Sequence, residues 1–158
     1  MDPSWVLFLA FLIGVIAGLR TMTAPAVVAW AANRHWLNLY NSPLAFMGST
    51  AAVAVFTLLA LGELVIDKLP STPNRTRLAG LIGRTVLGGL SGAGVAVAGS
   101  QSIAPGAILG VAGAIAGAFA GYEVRKRLVR ALKVPDFAIA LLEDVVAIAG
   151  GLLIVSRF

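Results

Sequence analysis

The chain has no cysteine and a single histidine, His35. The first absence excludes a disulfide framework, a thiolate metal site and a cysteine nucleophile. The second excludes a histidine-cluster metal site within one protomer. Charge is also scarce. Asp, Glu, Lys and Arg make up 12% of the 158 residues, against about 25% in soluble domains, too few to cover a water-facing surface. No HExxH occurs, no Ser/His pair stands out, and no carboxylate cluster sits beside a solvated loop. No enzyme, no cofactor and no metal site is therefore expected. A lipid-directed enzyme using Glu143 and Asp144 as acid and base ranks last among the readings. Met1-Asp2-Pro3-Ser4 offers no basic n-region, so no cleavable signal peptide is expected.

What the chain has instead is apolar length. It is 59% hydrophobic, with a mean hydropathy of +0.93. The runs are continuous and rich in Ala, Leu and Gly rather than alternating, which favours helices over a β-barrel. At about 20 residues per crossing, four to six spans fit. The expectation is an all-α, polytopic transmembrane bundle forming one domain over 1–158, with about five spans at 5–31, 44–69, 78–98, 106–124 and 136–156.

The first span is too long. If straight it would measure about 42 Å, against a hydrocarbon core of about 30 Å. Arg20 interrupts it, and Pro25 follows. Pro25 cannot donate to Thr21 and disfavours the helical region at Ala24. Two readings stay open: a kink or break around Arg20–Pro25, or an over-long helix whose second part lies at the interface. Trp30, Trp36 and Tyr40 then surround a polar loop at Asn33–Pro43, the composition of an interfacial aromatic belt, with His35 exposed there.

Span 4 carries glycines at 106, 110, 113, 117 and 121. That spacing lines Gly106, Gly110, Gly113, Gly117 and Gly121 along one helix face, where another backbone can approach closely. Gly14-Val-Ile-Ala-Gly18 in span 1 echoes Gly113-Ala-Ile-Ala-Gly117. In a five-span chain these run in opposite directions, so a repeat would be inverted. Residues 123–134 form a basic, amphipathic segment expected to lie along the headgroups, with anionic lipid facing 125–133. The cations are read as topology signals, not as a nucleic-acid footprint. Eight of them (Lys68, Arg75, Arg77, Arg125, Lys126, Arg127, Arg130, Lys133) fall on one side and two (Arg34, Arg157) on the other. The positive-inside rule then gives N-in, C-out in a bacterial cytoplasmic membrane.

Charges inside the spans carry the functional question, because each costs several kcal/mol in lipid unless it is paired. Glu63, Arg84 and Glu143 all fall roughly 9–11 Å from the cytoplasmic edge, so they are expected to meet. Asp144 lacks an obvious counter-ion. Arg20 lies about 24 Å from the cytoplasmic start if span 1 is continuous, too deep to pair, and a bent or re-entrant span would bring it nearer. Counted this way the carboxylates exceed the cations, and one would be protonated.

Several stretches together resemble the bacterial membrane family catalogued as domain of unknown function 4126. They are Gly18-Leu-Arg20-Thr-Met-Thr-Ala-Pro25, Gly62-Glu63, Asp67-Lys68-Leu-Pro70, Pro73-Asn-Arg75-Thr76, Gly83-Arg84, and Pro135-Asp136 with Leu142-Glu143-Asp144. The resemblance implies an integral membrane protein and no established activity. The leading expectation is a small transporter or channel-like protein, homo-oligomeric, with Glu143, Asp144, Glu63, Arg84 and Arg20 binding the solute or ion. The alternative is a non-catalytic accessory protein that receives a partner helix on the glycine stripe.

Overall fold

The computed structural model describes residues 1–66 and 78–158. The basic loop expected at 68–77 lies outside these, as does the end of the second span. Six α-helices make up the described residues, with no strand: α1 (Pro3–Leu19), α2 (Thr23–Asn33), α3 (Thr50–Ile66), α4 (Leu78–Ala98), α5 (Ile103–Leu132) and α6 (Asp136–Val155). A 3-10 turn at Ala45–Gly48 precedes α3. Three helices, α4, α5 and α6, are long and apolar enough to cross a membrane. α1 and α3 are apolar but shorter, 17 residues each.

The over-long first segment resolves into two helices. α1 starts under Asp2, whose carboxylate accepts from the Ser4 and Trp5 amides, with Pro3 in the first turn. The Ser4 hydroxyl donates to the same carboxylate and, with those amides, holds its pKa below the usual range. Helical bonding stops at Arg20, whose backbone is extended at φ −138° and ψ 110°. α2 begins at Thr23 and holds Pro25 in its first turn, where a missing N–H removes no intrahelical bond.

The two halves do not continue one another; the chain turns back. Gly14 lies against Gly110 and Gly18 against Ala114 and Ala118, so α1 runs parallel to α5. Thr21 lies beside Gly83 and Val28 beside Gly94, so α2 runs parallel to α4, which is itself antiparallel to α5 through Gly88–Gly110 and Gly92–Gly106. α1 and α2 are therefore an antiparallel hairpin with its tip at Arg20–Met22. α3 returns alongside α2, joined by a 2.9 Å bond from the Trp30 indole N–H to the Thr57 hydroxyl.

This reversal corrects two expectations. The N- and C-termini lie at the same end of the bundle, not at opposite ends, because the hairpin adds one traverse. The echo between Gly14–Gly18 and Gly113–Gly117 is not inverted, since α1 and α5 are parallel. A third correction concerns the basic segment. α5 is one unbroken helix of 30 residues, about 45 Å long, and residues 123–132 are its last turns rather than a separate surface helix.

The core is built from small residues. A Cβ placed on Gly110 would fall 2.2 Å from the Gly88 carbonyl oxygen, and one on Gly113 2.1 Å from that of Phe11. On Gly106 it would meet the Ala96 methyl at 2.3 Å, and on Gly117 the Val15 carbonyl oxygen at 2.3 Å. Gly106, Gly110, Gly113 and Gly117 of the stripe pack against α1 and α4 of the same chain, and Gly121 is also buried. Larger residues fill the space among α1, α2, α4 and α6: Ile13, Val28, Leu37, Met47, Val95 and Val155 are all fully buried.

Gly110→Ala is expected to lower stability by about 1–3 kcal/mol through overpacking. Gly62→Ala on α3, where an added methyl meets nothing within 4 Å, should be neutral or stabilise by up to about 1 kcal/mol. Thermal unfolding of the two variants in the same detergent tests the contrast.

Candidate functional site

A helix break leaves N–H groups unbonded at one new end and carbonyls at the other. At membrane depth such groups are tolerated only where protein surrounds them. The tip at Arg20–Met22 lies beside Gly83, about 8 Å along α4 from Leu78. On α6 it lies level with Asp144, about 12 Å from Asp136. It is thus sunk among the helices, where side chains from α3 and α4 meet the broken backbone and one from α6 meets the Arg20 side chain.

Glu63 on α3 covers the start of α2. Its carboxylate accepts from the Thr21 amide at 2.7 Å and the Met22 amide at 2.8 Å. A carboxylate there also complements the positive end of the helix dipole. Arg84 on α4 covers the end of α1. Its Nη1 donates to the Gly18 carbonyl at 2.8 Å and the Leu19 carbonyl at 3.2 Å. The two side chains approach each other only to 4.0 Å. Their chief contacts are with the broken backbone, not with one another.

Arg20 occupies the tip itself. It is the largest fully buried side chain among the described residues, and its guanidinium forms an ion pair with Asp144 of α6. Asp144 is therefore not the unmatched acid that the sequence suggested; the turn at residues 20–22 carries Arg20 across to it. Glu143, one position earlier, faces elsewhere. It lies 3.5 Å from Arg125 of α5, which also holds Asp136 in a bidentate contact that includes a 2.8 Å bond from Nε. Glu143 thus pairs with Arg125 at the rim, and Arg84 lies by Glu63 at the tip.

The arrangement divides into a tip cluster (Arg20, Glu63, Arg84, Asp144) and a rim cluster (Arg125, Asp136, Glu143). In the tip cluster two cations face two carboxylates. In the rim cluster Arg125 faces both Glu143 and the more exposed Asp136. Arg125 escaped the sequence reading because residues 123–134 were assigned to the surface. The signal that could have found it is spacing: Gly117, Gly121 and Arg125 share a face, so Arg125 continues the inward stripe. No group of three or more metal-ligating side chains occurs among the described residues.

Residues 7–156 match the model of the family described as domain of unknown function (DUF4126). The chain belongs to that family. A search of curated proteins gave no match, and a search of solved structures gave none either. The DUF4126 assignment covers both halves of the hairpin and every member of the two clusters. The tip cluster is thus part of the family domain itself.

Removing one partner from a buried ion pair strands the other charge, at a cost of about 3–5 kcal/mol. Asp144→Ala is expected to lower stability by that order. The double variant Arg20→Met with Asp144→Ala should recover most of the loss, because neither charge remains. A double-mutant cycle read by thermal unfolding in mild detergent checks this. Simple additivity would show that Arg20 and Asp144 are not coupled.

Proposed function

We propose that this protein moves a small solute or ion across the bacterial cytoplasmic membrane through the region of the hairpin tip. One observation carries the reading. Two half-helix ends meet at membrane depth and are bonded by side chains of other helices, not by their own continuing backbone. Discontinuous helices of this kind form solute and ion sites in many transporters, because the exposed ends of half-helices can serve as ligands. Here Glu63 and Arg84 occupy those ends. A solute carboxylate or a coupling cation could replace either side chain without breaking a regular helix.

In this reading Arg20 and Asp144 form the internal gate. Their pairing ties the tip to α6, and its opening would release the tip toward α3 and α4. Glu143 acts at the rim through Arg125 rather than on the solute. The positive-inside rule still applies. The N-terminal segment before α1 carries no Lys or Arg, so moving it leaves the eight-to-two asymmetry unchanged. The proposed topology places the tip end in the cytoplasm and both termini outside.

A purely structural role is the second reading. It is favoured by the pairing of charge within both clusters, which would hold helix register as buried ion networks can. In that reading a partner helix would have to meet what the packing of Gly106, Gly110, Gly113 and Gly117 against α1 and α4 leaves open.

A flux survey in proteoliposomes tests the proposal. With a responding solute in hand, Glu63→Gln and Asp144→Asn are each expected to reduce flux at least about tenfold, equivalent to 1.4 kcal/mol, in protein that remains folded. Full flux in both variants would remove the tip from the pathway. Absence of flux for every solute, with both variants altering only folding yield, would favour the structural role.

A further inference from the structure

α5 and α6 touch only sparingly, and between them lies a half-open cleft of about 250 Å³. Val15 and Leu19 of α1 close its back. α5 lines it with positions 117, 120, 121, 124, 125 and 128, which share one helix face. Gly117, Ala120 and Gly121 put little side chain into it, which leaves the space. Arg125 and Glu143 are the charged residues of its lining, and the others are apolar or glycine. Inward of Arg125 the slot runs about 12 Å along α5 to Gly117, between apolar walls.

The charge at the mouth has a sign. Arg125 stands between two carboxylates, Asp136 and Glu143. Asp136 holds it closer, through a 2.8 Å bond from Nε, than Glu143 does, at 3.5 Å from Nη1. The remaining charges of these turns point elsewhere. Glu123 pairs with Arg127, and Lys126, Arg130 and Lys133 lie on the face of α5 opposite the cleft. Among the described residues the mouth therefore carries one more negative charge than positive. The Glu143 side chain is only 9% exposed, so this excess sits against the apolar slot, where charge is costly without a counter-ion.

We propose that the cleft binds one membrane-dissolved organic monocation, with its ammonium head beside Glu143 and its apolar body in the slot toward Gly117. One added positive charge balances the mouth, and the apolar body fills the space that the small residues of α5 leave. Away from water the attraction between head and carboxylate is stronger than at an exposed surface. An anionic amphiphile would meet the excess of carboxylate, and a phospholipid of any class would carry its phosphate to the same place. A metal ion would leave the apolar slot unfilled, and no group of three or more metal-ligating side chains occurs among the described residues. The site is separate from the tip cluster and stands whether or not the hairpin conducts.

Native mass spectrometry of the full chain, released from maltoside detergent and titrated near neutral pH with decyltrimethylammonium or decyldimethylamine N-oxide, reads the site directly. The two probes share a tail and nearly a shape, and differ in net charge. One retained cation is expected, with at least about tenfold preference over the amine oxide, as one charge contact supplies. Glu143→Gln should erase the preference and leave weak retention of both. Ala120 and Val146 line the cleft and are both exposed, so Ala120→Trp and Val146→Trp fill it without displacing packed atoms. Each should remove the cation adduct while circular dichroism stays unchanged. Equal retention of the two probes by the unmodified chain would overturn the proposal. So would a preference that survives Glu143→Gln, adducts that survive both tryptophans, or a co-purified phospholipid that the cation fails to displace. If the variants disturb folding, a diazirine-bearing decylammonium decides on the unmodified chain. Labelling confined to 117–128 and 139–146 supports the site, and labelling elsewhere rules it out.

Discussion

Backbone that leaves a helix inside a bilayer must find its hydrogen bonds in the protein. The break at Arg20–Met22 imposes this on the whole bundle. The end of α1 needs donors, and Arg84 supplies them from α4. The start of α2 needs acceptors, and Glu63 supplies them from α3. Arg20 must itself be neutralised, and Asp144 does so from α6. Three helices are thereby fixed in rotation and depth by a turn three residues long. The charged groups, costly in lipid when isolated, are retained because a backbone without helical bonds would be costly too.

The tip can sink that far only because the helices around it are thin. α1 and α4 approach α5 from two sides, α1 in parallel and α4 antiparallel, and both contacts run through glycine. Gly110 serves both at once: its backbone lies against Gly14 and also against Gly88 and Gly92. A side chain at any of these positions would separate the helices and move Gly18 and Leu19 away from Arg84. The glycine stripe and the charged tip are therefore one design, in which close approach sets the reach of a short polar network.

Much of this was visible in the residues. The membrane class followed from scarce charge, the interruption from Arg20 and Pro25, and the close packing from glycines at 106, 110, 113 and 117. The direction of the chain after the interruption was not visible. A kinked helix and a hairpin share the same local signals, an Arg, a short polar run and a proline. What separates them is whether α2 finds its neighbours ahead of α1 or beside it, which is a long-range property. That single ambiguity propagated. It put Arg20 about 24 Å from the cytoplasmic start of a straight helix, left the acid unmatched, inverted an apparent repeat and placed the termini at opposite ends. Glu143 went astray for a different reason: its partner Arg125 lies in a run of cations whose average character is that of a surface, although its own helix face points inward.

The division of labour between neighbouring acids follows from helix geometry. Glu143 and Asp144 are 100° apart on α6, so one helix presents a charge to each of two environments. Asp144 faces the dry interior and holds Arg20. Glu143 faces the cleft and holds Arg125, which also binds Asp136 about two turns earlier. Rotation or tilt of α6 therefore cannot change one cluster alone. The rim and tip contacts therefore share one rigid element, with Glu143 and Asp144 tying α6 to Arg125 on one side and to Arg20 on the other.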